Sequence, residues 1–175
     1  MAKILILYST TDGHTIEICR RLKQTIESRS HSVQLLDVKD DPELAAGAFD
    51  KIVIGASIRY GKHQPLVNQF IEKNQATLES HPNAFFSVNV VARKPEKNRP
   101  ETNPYLQKFL KKIDWRPQLL GVFAGRIDYP SLGFVDKNMI RLIMWITKGP
   151  TDPTMTVEFT DWQKVEEFGV KIAEL

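Results

Sequence analysis

The segment YSTTDGHT, residues 8–15, gathers Ser9, Thr10, Thr11, Asp12, Gly13, His14 and Thr15 directly after a short apolar run. Four hydroxyls where a strand passes into a helix suit an anion. Free backbone N–H groups and the positive end of a helix dipole meet at such a place. Gly13 permits a tight turn and a close backbone approach. Hydrogen bonds to a charged group contribute about 1.5–3 kcal/mol each, so four or five hold a phosphate dianion without an arginine. Ser, Thr and Asp are also preferred helix caps, but a cap needs only one such residue. The loop has neither GxxxxGK[ST] nor GxGxxG, which argues against a triphosphate P-loop and a dinucleotide fingerprint.

Two further segments carry residues that suit a planar ligand. In GASIRYG, residues 55–61, Gly55 and Gly61 permit sharp backbone geometry, and Tyr60 offers a flat ring face beside Ile58 and Arg59. Asn89, Val90, Val91 and Ala92 close another apolar run. The basic residues Arg93, Lys94, Lys97 and Arg99 follow, interrupted by Pro95 and Pro100. This run reads either as a solvated surface or as a seat for an anionic substrate. Nucleic acid fits poorly, because the aromatic interleaving of a single-strand platform is missing. His14, His31, His63 and His81 show no metal-binding spacing, so no metal site is expected. His63 reads first as a surface histidine and second as a proton donor.

The elements that must position these residues follow from apolar periodicity. The 175 residues are 42% hydrophobic and 26% charged, an ordinary composition for one folded domain over 1–175. Strands are predicted at Ile4–Tyr8, Val33–Val38, Ile52–Ala56, Ala84–Val91 and Leu119–Gly125. Helical spacing falls between them: Ile16, Ile18, Cys19, Leu22 and Ile26, then Leu66–Leu78, Thr102–Ile113, and a last helix from residue 161 or 162 to 173. This alternation predicts an α/β fold, a doubly wound five-stranded parallel sheet in order 2-1-3-4-5. Ligands of such sheets sit at the carboxyl ends of the strands. Residues 126–156 break the alternation and form a long insertion before the last helix.

Cys19, the single cysteine, has no partner for an internal disulfide and reads as structural, in keeping with a reducing compartment. The apolar KILILY is too short for a secretory leader, and no run approaches the roughly 18–20 apolar residues that span a bilayer. The net charge of +3 permits anionic lipid, nucleic acid or an anionic ligand and selects none of them.

The first loop resembles the (S/T)xTGxT phosphate loop of flavodoxins. Asp12 stands where that family usually has a hydroxyl residue, so its carboxylate should point outward or cap the helix. GASIRYG, SVNVVARKPEKNRPETNPY, WRP at 115–117, AGRIDYP at 124–130 and DKNMIRLIMWITKGPTD at 136–152 are more specific. Together they resemble the FMN-dependent, quinone-linked protoporphyrinogen oxidases of gamma-proteobacteria, from Ile4 to the final helix. The resemblance implies a flavodoxin-like fold with non-covalent FMN at Ser9, Thr10, Thr11, Asp12, Gly13, His14 and Thr15, at Ile58, Arg59, Tyr60 and Gly61, and at Asn89, Val90, Val91 and Ala92. It implies oxidation of protoporphyrinogen IX, electron transfer to menaquinone or ubiquinone, and a peripheral place on the cytoplasmic face of the inner membrane. Arg59 beside the pyrimidine edge of a flavin would favour its anionic reduced form. Arg93, Lys94, Lys97 and Arg99 are candidates for the two propionates, on charge and placement alone. No catalytic acid or base is carried over, and a homo-oligomer stays open.

KNMIRLIMWITK, residues 137–148, lies in the insertion. It holds seven large apolar residues with Lys137, Arg141 and Lys148 among them. One reading is a core helix. The other is a helix in the membrane interface, forming an apolar lip beside the flavin through Met139, Ile143 and Trp145. Three rival functions stand against the enzyme: a flavodoxin-type electron carrier, an NAD(P)H-quinone reductase and a flavin-free binding protein. Flavodoxins are generally acidic, whereas this chain is slightly basic.

Overall fold

The computed structural model describes residues 1–45 and 47–175. Five parallel strands form one sheet: β1 (Lys3–Ser9), β2 (Ser32–Asp37), β3 (Lys51–Ser57), β4 (Asn83–Val88) and β5 (Leu119–Phe123). Their order is β2-β1-β3-β4-β5, as the alternation of strands and helices predicts. The helices α1 (His14–Glu27), α2 (Pro65–Glu79), α3 (Pro104–Leu110) and α5 (Trp162–Glu174) connect and cover the strands. Ile4, Leu5, Ile6 and Leu7 of β1 are fully buried, because helices cover both faces of the sheet.

The pleat divides the core in two. Leu5, Leu7, Ile52, Ile54 and Phe85 pack with Phe70 of α2, Phe109 of α3 and Trp115. Ile4, Ile6, Val53, Phe86 and Phe123 pack with Ile18, Cys19 and Leu22 of α1 and with Val165 and Phe168 of α5. Cys19 is buried, and burial pushes its thiol pKa up, so it is a packing residue and an unreactive one. Gly55 has a different task from the one its loop suggested. It lies in β3 opposite Phe86, and a Cβ there would stand 2.1 Å from the Phe86 ring. Gly61 does carry the turn, with φ of 75°.

Two predicted strands end early. β4 stops at Val88, and residues 90–93 form a 3-10 turn. β5 stops at Phe123, two residues before Gly125 turns the chain with φ of 77°. The insertion is itself folded. β6 (Arg126–Asp128) and β7 (Thr156–Glu158) pair antiparallel, and α4 (Phe134–Ile146) lies between them. α4 is not a core helix, since Met144 is its one buried residue. No described helix is long and apolar enough to cross a membrane.

Candidate functional site

A cleft of about 500 Å³ opens at the carboxyl ends of the parallel strands. That is the size of a small-molecule site, roughly 300–1,000 Å³. The loops after β1, β3, β4 and β5 line it on one side and α4 on the other. The sheet topology dictates this place, because strand order reverses direction there and the connecting loops diverge.

The first loop is held open for an anion. Gly13 is the N-cap of α1 in the left-handed region, φ 82°, and no side chain caps the helix. The first N–H groups of α1 therefore have no intrahelical acceptor. The Thr10 hydroxyl accepts from the Gly13 N–H at 2.9 Å, and Gln64 donates to the Thr10 carbonyl and the Thr11 hydroxyl, each at 3.3 Å. Ser9, Thr15 and Ser57 keep buried hydroxyls with no partner among the described residues. Such groups are costly unless something hydrogen-bonds them. Unpartnered hydroxyls, free amides and a left-handed glycine fit a phosphate. Asp12 does not cap the helix. Its carboxylate turns to the Arg59 guanidinium, which neutralises a charge that would oppose an anion.

The loops after β3 and β4 line the cleft with Ile58, Arg59, Tyr60 and Gly61, and with Asn89, Val90 and Val91. Asn89 pins the third loop. Its N–H donates to the Phe123 carbonyl at 2.9 Å, its side chain donates to the Ser87 hydroxyl at 3.1 Å, and it exchanges hydrogen bonds with Asn103 at 2.9 and 3.3 Å. Asn103 also caps α3 by accepting from the Leu106 N–H. Ala92 turns away from the cleft into the core. Ser9 and Gly13 lie behind the lining, while Thr10, Thr11, Asp12, His14 and Thr15 form it.

His14 reaches sideways rather than into the opening. Its Nε2 is 2.8 Å from the Thr160 hydroxyl and 3.4 Å from Glu158, its Nδ1 is 3.3 Å from Glu17, and its ring meets Trp162 edge-on. Glu17 accepts two hydrogen bonds from Arg126, at 3.2 and 3.3 Å, and Arg126 is with Arg59 one of two arginines that line the cleft.

His63 is a correction. The surface position expected for it is not found: it is 9% exposed, Nε2 sits 3.0 Å from the Ser87 hydroxyl, and its ring is flanked edge-on by Phe85 and Phe109. Burial lowers its pKa to about 3, so the ring is neutral at pH 7. It supports the third loop through Ser87 and does not line the cleft. The basic run is also placed apart. Arg93, Lys94, Lys97 and Arg99 do not line the cleft, and Arg93 donates instead to Thr147 and to the Val90 carbonyl. In the insertion, Met139 and Ile143 line the cleft with Ile140 and Met144, whereas Trp145 is 73% exposed on the outer face of α4.

Sequence reasoning missed Ser57, Gln64, Tyr105, Gly125 and Arg126. Gly125 was read as the last residue of the fifth strand, although a glycine at a strand end is itself a turn signal. Asn103 before Pro104 carried a cap signal. Gln64 and Arg126 have no local signal, since their partners lie far along the chain.

A five-stranded sheet of this order with a hydroxyl-lined cleft at its switch point defines a flavodoxin-type protein. The flavodoxin-domain family matches residues 5–154. Oxidised flavodoxin 1 from Bacillus cereus superposes with a TM-score of 0.57 at 15% identity, over 98% of this chain and 97% of that one, a likeness of fold alone. Sequence relatives are more specific. The protoporphyrinogen IX dehydrogenase [quinone] of Escherichia coli K12 is 43% identical over 173 residues, covering 99% of this chain and 96% of that protein. The Leishmania major protein of the same name is 41% identical over 174 residues, covering 99% of this chain and 75% of that protein. The chain therefore belongs to the flavodoxin-domain family of quinone-linked protoporphyrinogen IX dehydrogenases, which are oxidoreductases. Membership implies a flavin, and the donor set at residues 9–15 fits its phosphate.

Proposed function

We propose that the protein binds FMN, oxidises protoporphyrinogen IX to protoporphyrin IX and passes the electrons to a membrane quinone, menaquinone or ubiquinone. The observation that carries this reading is 43% and 41% identity to two protoporphyrinogen IX dehydrogenases in alignments that span 99% of the chain, the insertion included. FMN, when bound, supplies the acceptor for the electrons taken from the substrate. The chain's own residues do the rest. Thr10, Thr11, Thr15 and the amides of α1 hold the phosphate. Ile58, Tyr60, Val90 and Val91 bracket the ring. Met139, Ile140, Ile143 and Met144 give an apolar wall against which a macrocycle or a quinone ring would pack.

The same helix supports a peripheral place on the cytoplasmic face of the inner membrane. Phe134, Val135, Leu142, Trp145 and Ile146 are exposed on its outer side. If each gains about 1 kcal/mol on partial burial in lipid, several kcal/mol favour docking. Lys137 and Lys148 each add about 1 kcal/mol near anionic headgroups. Docking in this pose would set the apolar wall next to the phase in which quinones dissolve.

The test mixes FMN-loaded protein with protoporphyrinogen and a soluble quinone and follows porphyrin fluorescence. Enzyme-dependent fluorescence above autoxidation is expected, and its absence overturns the reading. Rapid bleaching of the flavin by NAD(P)H would favour the reductase. Replacing Leu142 and Trp145 with serine should release the protein from anionic vesicles while FMN stays bound. Unchanged sedimentation with vesicles would refute the membrane pose.

A further inference from the structure

The insertion helix is scarcely held by a core of its own. Met144 alone is fully buried, in a small cluster with Ile127 and Tyr129. Polar fastenings at its two ends supply much of the rest. In the first turn, the Asp136 carboxylate accepts from the Tyr60 hydroxyl and lies 3.9 Å from the Arg59 guanidinium. A carboxylate is favourable there because it faces the positive end of the helix dipole. At the other end, Arg93 donates to the Thr147 carbonyl at 3.0 Å and to the Thr147 hydroxyl at 2.9 Å, and a second nitrogen donates to the Val90 carbonyl at 3.2 Å. Thr147 is the C-cap of α4, so its carbonyl is one of those the helix leaves without a donor.

The two fastenings reach different loops. Asp136 ties the start of α4 to the loop after β3, and Arg93 ties its end to the turn after β4. Those loops carry Ile58–Gly61 and Asn89–Val91, the two segments that would flank a flavin ring. Tyr60 itself stands in the left-handed region, φ 50°. A tyrosine keeps such a conformation only where its surroundings hold it there. Arginine is required at position 93 because its planar fork spans Thr147 and Val90 together, which a lysine ammonium on a flexible stem does not do.

We infer that Arg93 and Asp136 are positioning residues that fasten both ends of α4 to the two ring-flanking loops, so that flavin in the cleft and order in α4 are linked. The inference rests on the flavin part of the proposed function. A ligand that orders the two loops withdraws freedom from both ends of the helix at once. By reciprocity, whatever steadies α4 from outside tightens the cleft around its flavin.

Amide hydrogen exchange of residues 134–146, with and without saturating FMN, tests it. FMN should slow exchange along α4 by roughly tenfold or more in the wild-type protein. Arg93→Lys should lose that slowing in the last turns and Asp136→Asn in the first, and by the same reciprocity each should weaken FMN binding by no more than about tenfold. Thr147→Val, which removes the hydroxyl that accepts from Arg93 together with the bond that hydroxyl donates to the Ile143 carbonyl, should lose part of it, and it stands in for Arg93→Lys if that variant does not fold. FMN binding with α4 exchange unchanged overturns the inference alone, as does full slowing retained in the variants. Wild-type protein that takes up no FMN overturns the proposed function and this inference with it.

Discussion

The sheet and the insertion are built on opposite terms. β1, β3 and β4 form a core in which residue after residue has little or no exposed surface. α4, of almost the same apolar character, leaves Phe134 at 84% and Trp145 at 73% exposed and buries one side chain. The core is stabilised by burial on both faces, whereas α4 is placed by hydrogen bonds at its ends and by a thin cluster beneath it. Apolar composition therefore does not predict burial in this chain. The sheet hides its apolar residues to hold the fold together, and α4 presents them to the cleft on one side and outward on the other.

The contrast breaks most clearly under truncation. Phe85→Ala removes a fully buried ring stacked on Phe109, and should destabilise by about 3–5 kcal/mol in denaturant unfolding. Leu142→Ala should stay within about 0.5 kcal/mol of wild type. Equal losses would mean that α4 is part of the core after all. Glycines sharpen the same contrast. Gly55→Ala drives a methyl into the Phe86 ring and should cost about 1–3 kcal/mol or more. Gly133→Ala, at the N-cap of α4 with open space around it, should cost far less by the same measurement.

Acid distinguishes the regions more gently. The buried His63 has its pKa lowered from 6.5 to about 3, so the unfolded chain binds a proton that the folded one refuses. Its contribution is complete above pH 6.5 and is lost as pH falls from there towards 3. The slope approaches about 1.4 kcal/mol per pH unit. Unfolding measured from pH 7 to 4 should show a shallower acid loss in His63→Gln than in the wild type. Identical slopes would place the acid sensitivity elsewhere.

Much of this was legible. Continuous apolar runs revealed the buried strands, and their alternation with helical spacing predicted the sheet order. The hydroxyl cluster around Gly13 marked the first loop of the cleft, because residue types and a turn signal sat together within seven positions. Local pattern misled at three places. Gly55 looked like a turn residue, although its reason is a ring on the neighbouring strand. His63 looked like a surface residue, yet the chain turns it between two phenylalanines. Arg93 looked like one member of a basic run, while its guanidinium is engaged by a helix more than fifty positions away.

By itself, then, the sequence determined the five parallel strands and the helices between them, their order and the end of the sheet at which a ligand would sit, since all of these follow from short-range periodicity and the handed geometry of parallel strands. Only the tertiary structure decided which polar groups meet. Asp12 with Arg59, Glu17 with Arg126, and Arg93 with Thr147 are pairings between distant segments. It alone also decided that α4 turns one apolar face to the cleft and leaves the other uncovered. Hydrophobicity counts how much surface a helix has to hide, and the neighbouring backbone decides how much of it is covered.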